Sequence, residues 1–271
     1  MLLLRIAKLF LWIGFNLVII LYLISAFRVR VPVLCFHEIL ESPSSNPLSW
    51  QKQRFESLIN KLKALDYDFI LPDTLVLPND YLTRKQIILT FDDGTRDHLE
   101  IVLPLLNKHD ISGLFFWIGS ELLNLDSNQR ESLLKNLGNS KLGSHTTQWK
   151  SLLGMTKAQR LKEFDQSEIY LRNFVAYPIN NFAFPKGEYD PNLASMALKR
   201  FKNVFSVDLG YFWPGRHKVH GRYMLNSDTT DQQIEEYLSR SKPFQRWDFW
   251  LLLISLIMLN FLLILRKRLG F

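Results

Sequence analysis

Residues 87–94 read Ile87-Ile88-Leu89-Thr90-Phe91-Asp92-Asp93-Gly94, an apolar run that stops abruptly at two carboxylates and a glycine. Aliphatic residues in such a run bury themselves in a sheet. The charge then arrives at the strand's C-terminal end, where α/β folds place their chemistry. Adjacent Asp side chains leave a strand in different directions, so one can bind a cation while the other handles a proton. An isolated Asp-Asp-Gly is also consistent with a plain strand followed by an Asp-Gly turn.

Outward from this stretch the pattern alternates. Apolar strands are expected over 31–36, 86–91, 113–118, 141–144, 181–184 and 204–207. Between them, residues 53–65 show helical spacing through Phe55, Leu58, Ile59, Leu62 and Leu65, and 100–108 and 156–175 also read as helices. Thr156-Lys157-Ala158-Gln159 looks like a capping box opening the last of these. Strand alternating with helix argues for a parallel sheet with crossover helices. Residues 71–83, with Pro72 and Pro78, read as an irregular rim loop, and there is no internal repeat or low-complexity linker.

Four segments in order carry a family resemblance. Thr90-Phe91-Asp92-Asp93-Gly94 resembles the first motif of the polysaccharide deacetylases. Pro32-Val33-Leu34-Cys35-Phe36-His37-Glu38-Ile39 resembles their opening strand, and Gly143-Ser144-His145-Thr146 their metal-binding His motif. Phe182-Ala183-Phe184-Pro185-Lys186-Gly187 resembles the strand and turn on the active-site rim. Phe205-Ser206-Val207-Asp208-Leu209-Gly210 and Arg222-Tyr223-Met224-Leu225 are weaker echoes, and the whole is closest to the subgroup acting on poly-N-acetylglucosamine. The resemblance covers residues 31–243. It implies an α/β fold, a distorted (β/α)7 barrel, and metal-assisted hydrolysis of an N-acetyl group on a sugar.

Residue by residue, the resemblance implies Asp93 and His145 as metal ligands and Asp92 as general base toward the attacking water. Pro185, Lys186, Gly187 and Trp149 would meet the glycan. Zn2+ is the expected metal, with Co2+ or Ni2+ as alternatives. A divalent ion lowers the pKa of bound water to about 7 and polarises a carbonyl, which suits these residue types. The pattern breaks at Trp149, where the family carries a second His four residues after the first. Catalytic zinc usually has three protein ligands, so His37 or His98 is needed as a substitute, with His37 the better placed. His109 reads as surface, and His217 and His220 flank a loop that could approach the glycan. Ala183 stands where an Arg often steadies the catalytic Asp, and the general acid has no clean equivalent.

Two apolar runs, 9–27 and 249–265, bracket the domain, with Trp12, Trp247 and Trp250 near their ends. Both are long enough to predict transmembrane helices, the first an uncleaved anchor because Ile24-Ser25-Ala26 is a poor cleavage site. The expected organisation is an anchor over 1–30, a catalytic domain over 31–243 and a second span with a basic tail over 244–271. Arg5, Lys8 and Arg266-Lys267-Arg268 favour termini in the cytoplasm, which puts the domain outside the cell (inner) membrane; Arg28 and Arg30 argue the other way. Partners would then be N-acetylated polysaccharide, the lipid bilayer and other membrane proteins of polysaccharide synthesis or export.

The formal charge of +7 is no nucleic-acid signal. Seven of the 33 Lys and Arg residues are those terminal ones, leaving 26 against all 26 Asp and Glu residues, so the rest of the chain is formally neutral. The single Cys35 excludes an intrachain disulfide and reads as a core thiol. Two other functions fit the same residues: a degenerate homologue, holding no metal, that binds glycan or scaffolds a synthesis complex, and an O-acetyl esterase.

Overall fold

The computed structural model describes residues 30–73 and 85–240. Twelve strands are found among them: β1 (Val31–Phe36), β2 (Glu38–Leu40), β3 (Ser49–Gln51), β4 (Tyr67–Phe69), β5 (Lys85–Asp93), β6 (Leu114–Trp117), β7 (Lys141–Ser144), β8 (Asn181–Ala183), β9 (Asn203–Phe205), β10 (Tyr211–Phe212), β11 (Val219–His220) and β12 (Tyr223–Met224). Seven α-helices accompany them: α1 (Lys52–Ala64), α2 (Leu103–Lys108), α3 (Gly119–Asn124), α4 (Ser127–Asn136), α5 (Lys157–Arg172), α6 (Pro191–Arg200) and α7 (Asp231–Ser239).

The main sheet runs β1-β5-β6-β7-β8-β9-β11, all parallel, with β12 parallel to β1 on its other side and β10 antiparallel to it. β11 and β12 are separated only by Gly221 and Arg222. Residues 219–224 therefore act as one interrupted strand that bonds β9 at its start and β1 at its end. That segment closes the sheet into a barrel-like α/β fold and explains why the barrel is distorted at this point.

Alternation along the strands sorts the core. Phe36, Phe91 and Phe115 stack on one another at ring separations of 5.5 and 4.7 Å, with Phe55 of α1 edge-on to Phe36 and Phe91. That aromatic layer lies between the barrel and its helices. Thr90, Asp92 and Phe116, on alternate positions, meet Arg222 inside, and Cys35 meets Asp92 there. The capping box of α5 forms as expected from Thr156 and Gln159, and the first strand matches its expected limits. The expected helix over 100–108 instead begins as a π-helical turn, His98–Val102.

The expectation of a cell-membrane location on two spans is corrected. Among the described residues no helix is long and apolar enough to cross a membrane. The runs 9–27 and 249–265 that prompted it lie outside the described residues, as does most of the expected rim loop 71–83.

Candidate active site

β5 carries the two carboxylates to the barrel mouth. Asp92, 2 % exposed, is gripped by the fully buried Arg222: Nη1 donates to Oδ1 at 2.6 Å and Nη2 to Oδ2 at 2.7 Å. Arg222 also donates from Nη1 to Thr90 Oγ1 at 3.2 Å and from Nε to the Ser206 carbonyl at 3.0 Å. The Cys35 thiol donates to Asp92 Oδ2 at 3.6 Å. Burial alone would raise the Asp92 carboxyl, but the Arg222 guanidinium, with His145 and His37 nearby, outweighs it and holds the group well below the usual carboxylate range. Burial chiefly pushes the Cys35 thiol up, so it stays protonated.

Asp93 turns the other way. Its φ is +73°, and Gly94 follows at +75°. A side chain at Gly94 would lie 2.2 Å from the Trp117 indole nitrogen, so both the backbone angle and the space require glycine here. His145, 2 % exposed, directs its Nδ1 to the Ala183 carbonyl at 2.9 Å. A carbonyl only accepts, so Nδ1 carries a proton, and Nε2 lies 3.5 Å from Asp93 Oδ1. The His145 segment is pinned on both sides. Its own N–H bonds the Trp117 carbonyl, and Gly119 and Ser120 donate to the carbonyls of Thr146 and Thr147. Strained left-handed backbone occurs at Asp93, Thr146 and Lys186, each just past the end of a strand or within its last residue.

This donor set fits a divalent cation. Asp93 Oδ1 is buried without a hydrogen-bond partner, and so is His37 Nδ1. An imidazole whose far nitrogen is tied to a carbonyl is oriented as metal-binding histidines are. His37 stands after β1; burial lowers its pKa against the pull of Asp92 and Asp93, leaving a neutral ring. Among the described residues, ligand atoms of Cys35, His37 and Asp92 lie within 4.8 Å of one another, but no such trio includes both Asp93 and His145. Cys35 and Asp92 are poor candidates to hold an ion: the thiol keeps its proton and both Asp92 oxygens already face a cation. Asp93 and His145 are therefore the candidate pair, and His37 is their neighbour rather than a third vertex.

Trp149 does not occupy the space of a lost ligand. It is 54 % exposed on the rim, with Lys186 Nζ 4.7 Å above its ring. Pro185 and Gly187 form the turn that carries Lys186. An open cleft of about 800 Å3 runs past Asp93, between Glu38, Glu121 and Trp149.

The remaining histidines correct their sequence readings. His98 is fully buried and bonds the His37 backbone instead of facing a metal. His109 is largely buried against Glu56. His220 is 1 % exposed and accepts from the Trp213 N–H, so it cannot meet a glycan; His217 is exposed. Arg222 is the site residue whose part sequence reasoning missed. It lies 130 residues from Asp92, and only the strand that closes the barrel brings them together.

Comparison with known proteins agrees with this fold. The family model for polysaccharide deacetylases matches residues 79–200. YxkH of Bacillus subtilis strain 168, a candidate polysaccharide deacetylase, is 26 % identical over 176 residues, covering 63 % of this chain and 61 % of its own length. The chain thus spans less than two thirds of that relative. A polysaccharide deacetylase from Bacillus cereus superposes with a TM-score of 0.68 at 20 % identity, over 78 % of this chain and 70 % of its own. The deacetylase PplD of Streptococcus pyogenes, solved with acetate, gives 0.66 at 19 % identity, over 78 % and 99 %. At these identities the two structures establish the shared fold.

Proposed function

We propose, on the match of residues 79–200 to the polysaccharide deacetylase family model, a metal-dependent hydrolase that removes N-acetyl groups from an N-acetylglucosamine-type polysaccharide, with residues 31–243 as its catalytic unit. The observation that carries the reading is the 3.5 Å approach of Asp93 Oδ1 to His145 Nε2 beside a carboxylate held ionised by Arg222. A bound divalent ion, most readily Zn2+, would polarise the acetyl carbonyl and acidify water.

Asp93 and His145 would hold that ion. Asp92 would receive the proton of the attacking water, since Arg222 keeps it charged and oriented while leaving each oxygen further acceptor capacity. Its depressed pKa makes it a modest base, so water must already be acidified when the transfer occurs. His37, neutral and adjacent, is the group available to exchange a proton at the leaving nitrogen. The Trp149 ring, Lys186 and the Pro185–Gly187 turn would meet the sugar, an exposed aromatic offering its face to a pyranose ring. Acetate bound to one fold relative supports an acetyl-sized site.

A second reading is a homologue that binds glycan without hydrolysis. It is favoured by the two-residue ligand pair and by Trp149 on the rim. Acetate release from N-acetylglucosamine oligomers, with zinc, cobalt or nickel supplied and an Asp92→Asn control, separates the two. Metal-dependent release lost in the control is expected. Glycan binding without release, and without stoichiometric metal, would establish the second reading.

A further inference from the structure

The π-helical turn after the two carboxylates has work of its own. Asp97 Oδ2 accepts the Ile39 N–H at 2.8 Å, and His98 Nε2 lies 2.6 Å from the His37 carbonyl. A carbonyl only accepts, so His98 donates. These are consecutive peptide groups, His37–Glu38 and Glu38–Ile39, held by consecutive side chains. Asp97 is 8 % exposed and His98 not at all. Asp97 Oδ2 is 4.0 Å from His98 Nε2, too far to compete with the carbonyl for its proton.

The His98 ring is costly where it stands. Phe91, Phe115 and Trp117 surround it edge-on at 5.5–6.2 Å, and its Nδ1 is buried without a partner. An apolar ring would fill this aromatic box without leaving a nitrogen unsatisfied. What only His98 supplies is the donor to the His37 carbonyl. Single π-turns recur at functional sites because the extra residue re-aims side chains. Here the turn places both side chains toward the segment that leaves β1.

We propose that Asp97 and His98 are positioning residues for His37, holding the two peptide groups that follow it so that its imidazole stays beside Asp92 and Asp93. The turn that continues from the carboxylate strand thereby sets the position of a side chain delivered by a different strand. This rests on the reading of His37 as part of the active site.

The test uses the full chain with 15N-labelled histidine. His98→Phe keeps the aromatic packing and loses the donor; His98→Gln returns an N–H near the Nε2 position. A misplacement of this kind costs on the order of tenfold to a hundredfold in rate. His98→Phe should lower kcat for acetate release by about that factor with KM little changed, and should displace the His37 imidazole signals. His98→Gln should recover both. Asp97→Ala should displace the same signals, while Asp97→Asn, which keeps an acceptor, should not. Unchanged His37 signals in His98→Phe, or a displacement that His98→Gln fails to reverse, would overturn the proposal. If the parent protein releases no acetate, the hydrolase reading fails alone, because the His37 signals still decide the positioning role.

Discussion

Arg222 shows what one residue can decide in a barrel interior. Its guanidinium makes a two-pronged pair with Asp92 in a place where neither group meets water. Removing one member of a buried pair leaves the other charge uncompensated, at a cost of roughly 3–5 kcal/mol. Arg222→Met should therefore lower stability by about that amount in urea titration, and adding Asp92→Asn should restore part of it. Additive losses in the double variant would mean that the pair is not coupled. Trp149 poses the complementary case. Trp149→His should raise zinc affinity by about tenfold or more, measured by competition with a chelator dye, if residue 149 can swing inward from the rim. The paired Asp residues were legible because they end an apolar run, and His145 through the resemblance of Gly143-Ser144-His145-Thr146 to the family's metal-binding motif. Arg222 was not, since no periodicity or spacing announces an ion pair across a barrel.

At the scale of elements, local rules worked where local forces dominate. The α5 capping box was readable because Thr156 and Gln159 satisfy each other's backbone within four residues. The π-helical turn was not readable, because its extra residue answers to bonds with the distant His37 and Ile39. Short helices such as α3 and α4 escaped for a related reason: α4 buries only Leu133, too little to leave an apolar stripe. The Pro185–Gly187 turn combines both kinds of control. Gly187 has φ +70°, and a Cβ there would lie 2.2 Å from Val207 Cγ2. Gly187→Ala should cost roughly 1–3 kcal/mol from backbone strain, with the clash added. Val207→Ala in the same chain should remove the closest contact and leave the strain together with the 3.0 Å approach to the Val207 backbone nitrogen. Weaker binding of N-acetylglucosamine oligomers should accompany the loss, since Lys186 rides on this turn beside Trp149. Unaltered oligomer affinity would remove the turn from the sugar site.

For the whole molecule, the alternation of strand and helix was enough to predict a parallel sheet and the family resemblance a barrel, but neither announced how it closes. Closure falls to residues 219–224, too short and too polar to read as a strand. They bond β9 through His220 and β1 through Tyr223 and Met224, with Arg222 between. His220 makes this seam sensitive to acid. Burial, with Lys218 and His217 adding repulsion, lowers its pKa from 6.5 to about 4. Between those values the unfolded chain binds a proton that the folded chain does not, so stability is full above pH 6.5 and falls as pH drops toward 4. The shift corresponds to a loss on the order of 3 kcal/mol once pH is below both values. His220→Asn keeps an acceptor for the Trp213 N–H and does not titrate in this range. Unfolding midpoints measured from pH 7 to 4.5 should therefore fall less steeply in His220→Asn than in the parent. Parallel slopes would show that the closing strand does not feel this histidine's charge. A steeper parent slope accompanied by loss of the Arg222–Asp92 pair would mean that the seam opens as a unit, taking the orientation of Asp92 with it.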